Sequence, residues 1–172
     1  LSRTAIRLSA TGPRRPAASR RSARTLGRLR RSSLMPDFNS LQLPEDLSVL
    51  APDGSEVRVL LGLQGGGMAH FQLAPGQVSA AVTHRTIEEI WFVVSGAGQM
   101  WRRQGQREEI TELAPGLCLT IPLGTAFQFR AAATSPLAAV AITMPPWPGE
   151  DEAILVAGPW RPRRGQEGSE CN

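Results

Sequence analysis

Turn-forming residues recur roughly every ten positions from Asp53 onward, and this spacing is the strongest constraint on the fold. The intervals between them hold short runs of aliphatic, β-branched and aromatic residues, which have the length of strands rather than of helices. This pattern predicts an all-β sandwich or barrel with little helix. Residues 47–50 fit either a short helical turn or an edge strand. The clear strands are predicted at residues 56–61, 68–74, 78–84, 90–94, 99–103, 107–113, 117–121, 126–130 and 137–144.

The tetrapeptide Leu-Ala-Pro-Gly occurs twice, at residues 73–76 and 113–116. Proline presets one backbone angle of a tight turn, and glycine accepts the positive φ that the next position of such a turn requires. The repeat therefore suggests two similar hairpin starts, as in a double Greek key.

Charge divides the chain into two parts. Residues 1–34 carry ten arginines and no acid, whereas residues 35–172 carry nine arginines and fifteen acids. The excess of positive charge thus lies in a segment without apolar periodicity, so the folded part is not predicted to bind nucleic acid. The segment fits a disordered extension, an RNA-binding arm or an organellar transit peptide. The interpretation that we favour is sequence translated upstream of a true start at Met35.

The remainder, residues 35–172, is long enough for one domain with its own core. We expect a barrel over residues 47–146 and a proline- and tryptophan-rich extension over residues 147–172. Cys118 and Cys171 do not make a disulfide framework, and the expectation is a reduced cytoplasmic protein in which Cys118 is buried. No apolar run has the length of a membrane span, so no membrane association is predicted.

Two stretches combine these turns with polar residues. In the first, five residues separate Gly76 from Val82-Thr83-His84, four more lead to Glu89, and six lead to Gly96. In the second, five residues separate Gly116 from Pro122-Leu123-Gly124, and two more lead to Phe127. These spacings resemble the two sequence motifs of the cupin superfamily. The resemblance covers about residues 47–146 and implies a small double-stranded β-helix, a jelly-roll barrel that is often dimeric.

Metal-binding members of that family hold their ion with two histidines and a glutamate of the first motif and a histidine of the second. The matching positions here are Val82, His84, Glu89 and Phe127. Hydrocarbon side chains occupy two of the four, and a divalent ion in such a site needs at least three converging protein ligands. We therefore expect no bound metal and no cofactor. Any divalent metal would depend on His84 and Glu89, with His70 or Glu88 as the nearest substitutes.

Strand alternation orients the side chains around the predicted cavity. If Glu89 points inward, Trp91 and Val93 do so as well, while residues 90, 92 and 94 point outward. Phe129 shares the face of Phe127 by the same rule. The outward apolar residues need a cover, which a second sheet or a homodimer would provide. The predicted ligand-binding residues are His84, Glu89, Trp91, Val82, Phe127 and Phe129.

Two functional interpretations remain open. In the preferred one, the barrel binds a small, partly apolar molecule, and His84 and Glu89 are its polar anchors. In the alternative, the same pair serves an enzyme, either an isomerase or epimerase or a metal-dependent oxygenase. A structural role is also open, because a buried carboxyl and imidazole can simply pair with each other. Trp147, within a Pro-Pro-Trp-Pro-Gly segment, fits either a cap over the sheet or a lid over the cavity.

Overall fold

The sequence pattern of short strands and tight turns folds into two antiparallel sheets. The structure is a computed structural model that describes residues 37–163. These residues contain no α-helix, and their single 3-10 helix is Glu150–Glu152. The strands are β1 (Val49–Leu50), β2 (Glu56–Leu63), β3 (Gly66–Leu73), β4 (Val82–His84), β5 (Glu88–Gly96), β6 (Gly98–Gln104), β7 (Arg107–Leu113), β8 (Cys118–Ile121), β9 (Ala126–Ala131), β10 (Leu137–Met144) and β11 (Ala153–Leu155).

The first sheet has the strand order β1-β2-β3-β10-β5-β8, and the second has the order β11-β4-β9-β6-β7. Their inner faces enclose one apolar core, in which Trp91, Met100 and Phe129 are almost fully buried. The predicted all-β double-stranded β-helix is confirmed. For residues 47–50, the structure shows the edge strand and not the helical turn, since Val49 and Leu50 pair with β2.

Alternation along β5 follows the prediction. Glu89, Trp91 and Val93 are buried, while Ile90, Phe92 and Val94 are between 36% and 49% exposed on the outer face. The predicted strand at residues 78–84 is shorter than expected. It pairs continuously only over β4, and Val78 at its start makes two isolated bridges, to Arg130 and to Arg163.

The two Leu-Ala-Pro-Gly segments form the same turn. In each, the N–H after the glycine donates to the alanine carbonyl, at 3.0 Å from Gln77 and at 3.1 Å from Leu117. The glycine φ angles are 68° and 90°, a conformation that other residues rarely adopt. The two copies of the repeat therefore form similar turns, and each turn leads into the strand that follows, as the sequence suggests.

The segment at residues 153–163 crosses the outer face of the second sheet. β11 pairs with β4, and Arg163 exchanges two backbone hydrogen bonds with Val78. Gln128 holds the segment from below, because its amide donates to the Trp160 carbonyl and accepts from the Trp160 N–H. Trp101 is thereby buried beneath the segment, together with its small neighbours Ala81 and Ala126.

Cys118 is exposed, so the prediction of a buried thiol is wrong. The strand β8 lies at a sheet edge, and its alternate residues Leu119 and Ile121 fill the core instead. Cys171 and the predicted extension at residues 1–34 lie outside the described residues. No helix within residues 37–163 is long and apolar enough to cross a membrane.

Candidate functional site

A cavity of about 560 Å³ lies between the inner faces of the two sheets. Its walls are mainly hydrocarbon and aromatic, with contributions from β2, β3, β5 and β9. The aromatic rings are Phe71, Trp91, Phe127 and Trp147, and the polar side chains are Asp53, His84, Glu89 and Thr143. A cavity of this size and character is typical of small-molecule sites.

His84 and Glu89 meet across the loop that joins β4 to β5. His84 ends β4 and Glu89 is the second residue of β5, so strand alternation turns both toward the interior. The loop is held by Glu152, whose carboxyl accepts from the Thr86 N–H at 2.6 Å, the Thr86 hydroxyl at 2.8 Å and the Ile87 N–H at 3.0 Å. Burial raises the pKa of Glu152, but these hydrogen bonds outweigh it and the pKa lies below its ordinary value.

His84 is buried without a hydrogen-bond partner in the described part of the chain. Its side chain is 6% exposed, and neither Nδ1 nor Nε2 has a partner among residues 37–163. Nε2 lies 3.6 Å from Glu89 Oε1, which is too long for a hydrogen bond. The imidazole is bounded by the Phe127 ring at 5.2 Å and by the edge-on Trp147 ring at 5.4 Å. A buried polar group of this kind normally has a partner, so the site has room for one.

Glu89 is oriented by its neighbour two residues along β5. Trp91 Nε1–H donates to Glu89 Oε2 at 2.7 Å. The indole itself is fixed by stacking on Phe71 at 5.0 Å and by an edge contact with Phe129 at 4.9 Å. One carboxyl oxygen is thus used within the protein, while Oε1 faces the imidazole.

Asp53 is a further carboxyl of the cavity, although the sequence around it predicts only a turn. Its Oδ1 accepts from the Ser55 N–H at 2.9 Å and from the Ser55 hydroxyl at 2.6 Å. Burial raises the pKa of Asp53, and the charge of Glu89 adds to this effect, while the Ser55 hydrogen bonds oppose it. Asp-Gly is an ordinary turn signal, and nothing local indicates that this turn packs against the barrel interior.

The predicted site residues are brought together, with one difference in position. Val82, His84, Glu89, Trp91 and Phe127 all line the cavity. Phe129 lies in the core behind Trp91 and is not part of the lining. Trp147 lies at the cavity as the lid interpretation requires, whereas Trp160 packs on the outer face, with Arg130 stacked 4.3 Å from its ring centre.

His70 and Glu88 do not supply further groups to the cavity. His70 is buried on the opposite face of β3 from the lining residue Phe71, beside its cross-strand neighbour Arg58. Burial lowers the pKa of His70, and the Arg58 charge lowers it further. Glu88 is exposed and alternates with the inward Glu89.

These residues do not fit the metal site of the motif. Val82 and Phe127 are cross-strand partners, so two hydrocarbon side chains stand side by side at ligand positions. Within residues 37–163, no group of three or more His, Cys, Asp or Glu side chains is placed to hold a metal ion. We therefore derive no chemistry through a metal.

Comparison with known proteins identifies relatives at the level of the fold. No curated protein sequence matches the chain. A protein with a double-stranded β-helix domain from Klebsiella pneumoniae is 18% identical, with 71% of this chain and 100% of that chain covered and a TM-score of 0.55. The polyketide cyclase RemF from Streptomyces resistomycificus is 17% identical, with 70% and 87% covered and a TM-score of 0.57.

A cupin protein from Bacteroides fragilis is 22% identical, with 64% of this chain and 86% of that chain covered and a TM-score of 0.50. Identities this low speak for a shared fold and not for a shared activity. The family model described as the cupin domain matches residues 69–143, from β3 through most of β10. Residues 69–143 thus match the cupin domain, and the two-sheet barrel around them has the fold of the cupin superfamily.

Proposed function

We propose that the barrel binds a small, partly apolar molecule without a metal, and that His84 and Glu89 anchor its polar end. The observation that carries this proposal is the state of His84, whose two ring nitrogens are buried at an apolar cavity and have no hydrogen-bond partner among residues 37–163. Leaving such groups unpaired costs about 1–3 kcal/mol each. A ligand that pairs with them recovers this free energy on binding.

The remaining lining supports an apolar body for the ligand. Trp91, Phe127 and Trp147 offer ring faces and edges, while short aliphatic side chains fill the rest of the wall. The volume of about 560 Å³ lies within the range of about 300–1,000 Å³ that is usual for small-molecule pockets. Burial of the apolar body then supplies most of the affinity, and the polar groups set its orientation.

The polar groups also restrict the ligand's polar end. An imidazole carries a donor and an acceptor in its neutral form, and Glu89 Oε1 is an acceptor that receives no hydrogen bond from residues 37–163. Burial raises the pKa of Asp53, which favours the neutral carboxyl and its O–H donor. A hydroxyl, phenol or amide, which both donates and accepts, meets these groups better than a purely anionic or cationic end.

The test is a thermal-shift screen of small phenols, hydroxylated aromatics and amides, followed by calorimetry on any hit. Ligand binding raises the unfolding midpoint by mass action, and His84→Ala and Glu89→Ala should abolish the rise. His70→Ala is the matched control, because it removes the other histidine from the opposite face of β3. A shift that persists unchanged in both cavity variants overturns the proposal.

Acid–base catalysis is the second candidate. It is favoured by the buried approach of His84 Nε2 to Glu89 Oε1 at 3.6 Å, a spacing that a bound substrate can bridge or close. An isomerase or epimerase would need this pair for proton transfer. Turnover of an identified ligand that Glu89→Gln abolishes while binding remains would establish catalysis, whereas binding without turnover would exclude it for that ligand.

The oxygenase alternative is decided separately. Protein purified without chelators should contain less than stoichiometric iron, manganese, nickel and zinc by elemental analysis. A stoichiometric metal that disappears in His84→Ala, but not in His70→Ala, would replace our proposal with a metal-dependent one.

A further inference from the structure

A second, polar pocket of about 120 Å³ lies where the edge strands of the two sheets, β7 and β8, approach each other. Its lining consists of Arg102, Gln104, Arg107, Glu109, Thr120, Pro122 and Thr125. It shares no lining residue with the larger cavity. An inference drawn here is therefore independent of the function proposed above.

The β8–β9 turn builds one side of this pocket. The Thr125 N–H donates to the Pro122 carbonyl at 3.0 Å, which closes a tight turn and brings Thr125 into the interior. Thr125 is 3% exposed. Its hydroxyl oxygen is buried and has no hydrogen-bond partner among residues 37–163.

Arg102 builds the other side and joins the two sheets. Its Nη1 donates to the Thr120 carbonyl of β8 at 2.8 Å, and its Nη2 donates to Glu109 and to the Thr111 hydroxyl, both at 3.0 Å. These bonds fix the guanidinium plane. Arg102 Nε is nevertheless buried and has no partner in the described part of the chain.

The charge around these two atoms is positive. Arg102 and Arg107 face a single carboxyl, Glu109, which contacts both of them. The Arg107 side chain is 82% exposed and can turn toward the pocket mouth. Hydrogen bonding to Thr111 lowers the pKa of Glu109, and contacts with both arginines lower it further, so its charge is already balanced by one of them.

We propose that this pocket binds a small tetrahedral oxyanion, phosphate or sulfate, through Arg102 Nε–H and the Thr125 hydroxyl, with Arg107 closing the mouth. Both buried groups can donate, and an oxyanion offers acceptors in several directions at once. The volume admits one such group and excludes a nucleotide. When no anion is bound, Arg102, Arg107 and Glu109 together have a net positive charge, and no residue among 37–163 accepts from Arg102 Nε or from the Thr125 hydroxyl.

Binding of inorganic phosphate and of sulfate should be measured by calorimetry at constant ionic strength, with chloride and acetate as comparison anions. Thr125→Val removes only the hydroxyl, and Arg102→Gln removes the charged donor. Loss of one charge-assisted hydrogen bond should weaken phosphate binding about tenfold in each variant. Glu109→Gln removes the competing negative charge and should tighten it.

Arg103→Gln is the control for charge. Arg103 is adjacent in sequence, but it is exposed and stacks on Trp101 at 5.2 Å, outside the pocket. The proposal is supported if phosphate or sulfate binds more tightly than chloride and acetate and if Thr125→Val weakens that binding more than Arg103→Gln does. Equal effects of these two variants, or no preference for tetrahedral anions, would overturn it. Methyl phosphate measured in parallel distinguishes a site for the free ion from one for a phosphate ester.

Discussion

Glu152 and Asp53 are both buried carboxyl groups that interact electrostatically with His84, yet their surroundings shift their pKa values in opposite directions. Glu152 uses both oxygens to accept three hydrogen bonds from residues 86–87, and its pKa is lowered. Within residues 37–163, Asp53 accepts hydrogen bonds only at Oδ1, from Ser55, and its pKa is raised. At Asp53, burial and the Glu89 charge outweigh the two Ser55 hydrogen bonds, whereas at Glu152 three hydrogen bonds outweigh the effect of burial.

Glu152 is thus a group that holds the backbone, whereas the polar groups of the cavity are available to a ligand. The polar atoms around Glu152 are matched within the chain. Those of the cavity are not, since His84 has no partner in the described residues and Glu89 keeps one oxygen toward it. Substitution of Glu152 should therefore mainly change stability, whereas substitution of the polar residues of the cavity should mainly change ligand binding.

The largest effect is expected from Glu152→Ala. It leaves the buried Ile87 N–H and the partly buried Thr86 N–H without an acceptor, which should lower the free energy of unfolding by about 3 kcal/mol. Denaturant unfolding measures this loss. Asp151→Ala is the matched control because its side chain is exposed, and an equal loss in both variants would contradict the role given to Glu152.

The dependence of the free energy of unfolding on acidic pH should also show the contribution of Glu152. A carboxyl whose pKa is lowered by folding contributes its full stabilisation above its ordinary value of 4.5. That contribution disappears as the pH falls through the folded pKa. Glu152→Ala should therefore flatten the acid limb of the stability curve, and a limb as steep as that of the unmodified protein would be evidence against it.

Asp53→Asn should have the opposite pH signature. A raised pKa means that the neutral acid stabilises the fold below its ordinary value of 3.8, and that this stabilisation is lost as the pH rises through the folded pKa. Relative to the variant, the unmodified protein should lose about 1.4 kcal/mol per unit of pKa elevation between pH 3 and pH 7. Parallel stability curves would show that the pKa is not raised.

His84→Leu should not destabilise the fold, unlike the substitution at Glu152. It removes two buried nitrogens that have no hydrogen-bond partner among residues 37–163, so the free energy of unfolding should rise by about 1–3 kcal/mol. Ligand binding should be lost at the same time, as calorimetry would show. A large destabilisation would mean that the imidazole is a structural group like Glu152.

The smallest effect on stability is expected from Trp147→Ala. The side chain is 42% exposed and its edge covers His84, so its removal should open the cavity while stability changes by about 0.5 kcal/mol. Faster ligand dissociation in stopped-flow measurements would identify Trp147 as a lid. Trp160→Ala is the comparison, since it should reduce stability without changing dissociation.

The sequence was sufficient to predict most of the barrel, because the constraints involved are local. Period-two alternation assigns the buried and exposed residues of β5, and proline–glycine pairs locate the turns at residues 74–77 and 114–117. The spacing of the motifs also brought His84 and Glu89 into one cavity. Each of these inferences depends on residues close to one another in the chain.

The remaining features depend on distant contacts. Asp53 belongs to the site only because its turn packs against the barrel, and Cys118 is exposed because Leu119 and Ile121, which alternate with it on β8, face the core. The facing of His70 depends on which register β3 adopts with β10. Composition and periodicity carry no information on such long-range placement.

The pairing of β11 with β4 has a practical consequence for defining the domain. Ala153 pairs directly with His84, and Glu152 immediately precedes it. A fragment cut to the two sequence motifs, residues 76–127, would omit Asp53, the β11 strand and Glu152, and would leave His84 on an open sheet edge. The smallest fragment that keeps the cavity's frame must include Asp53 and continue through Arg163, whose backbone pairs with Val78.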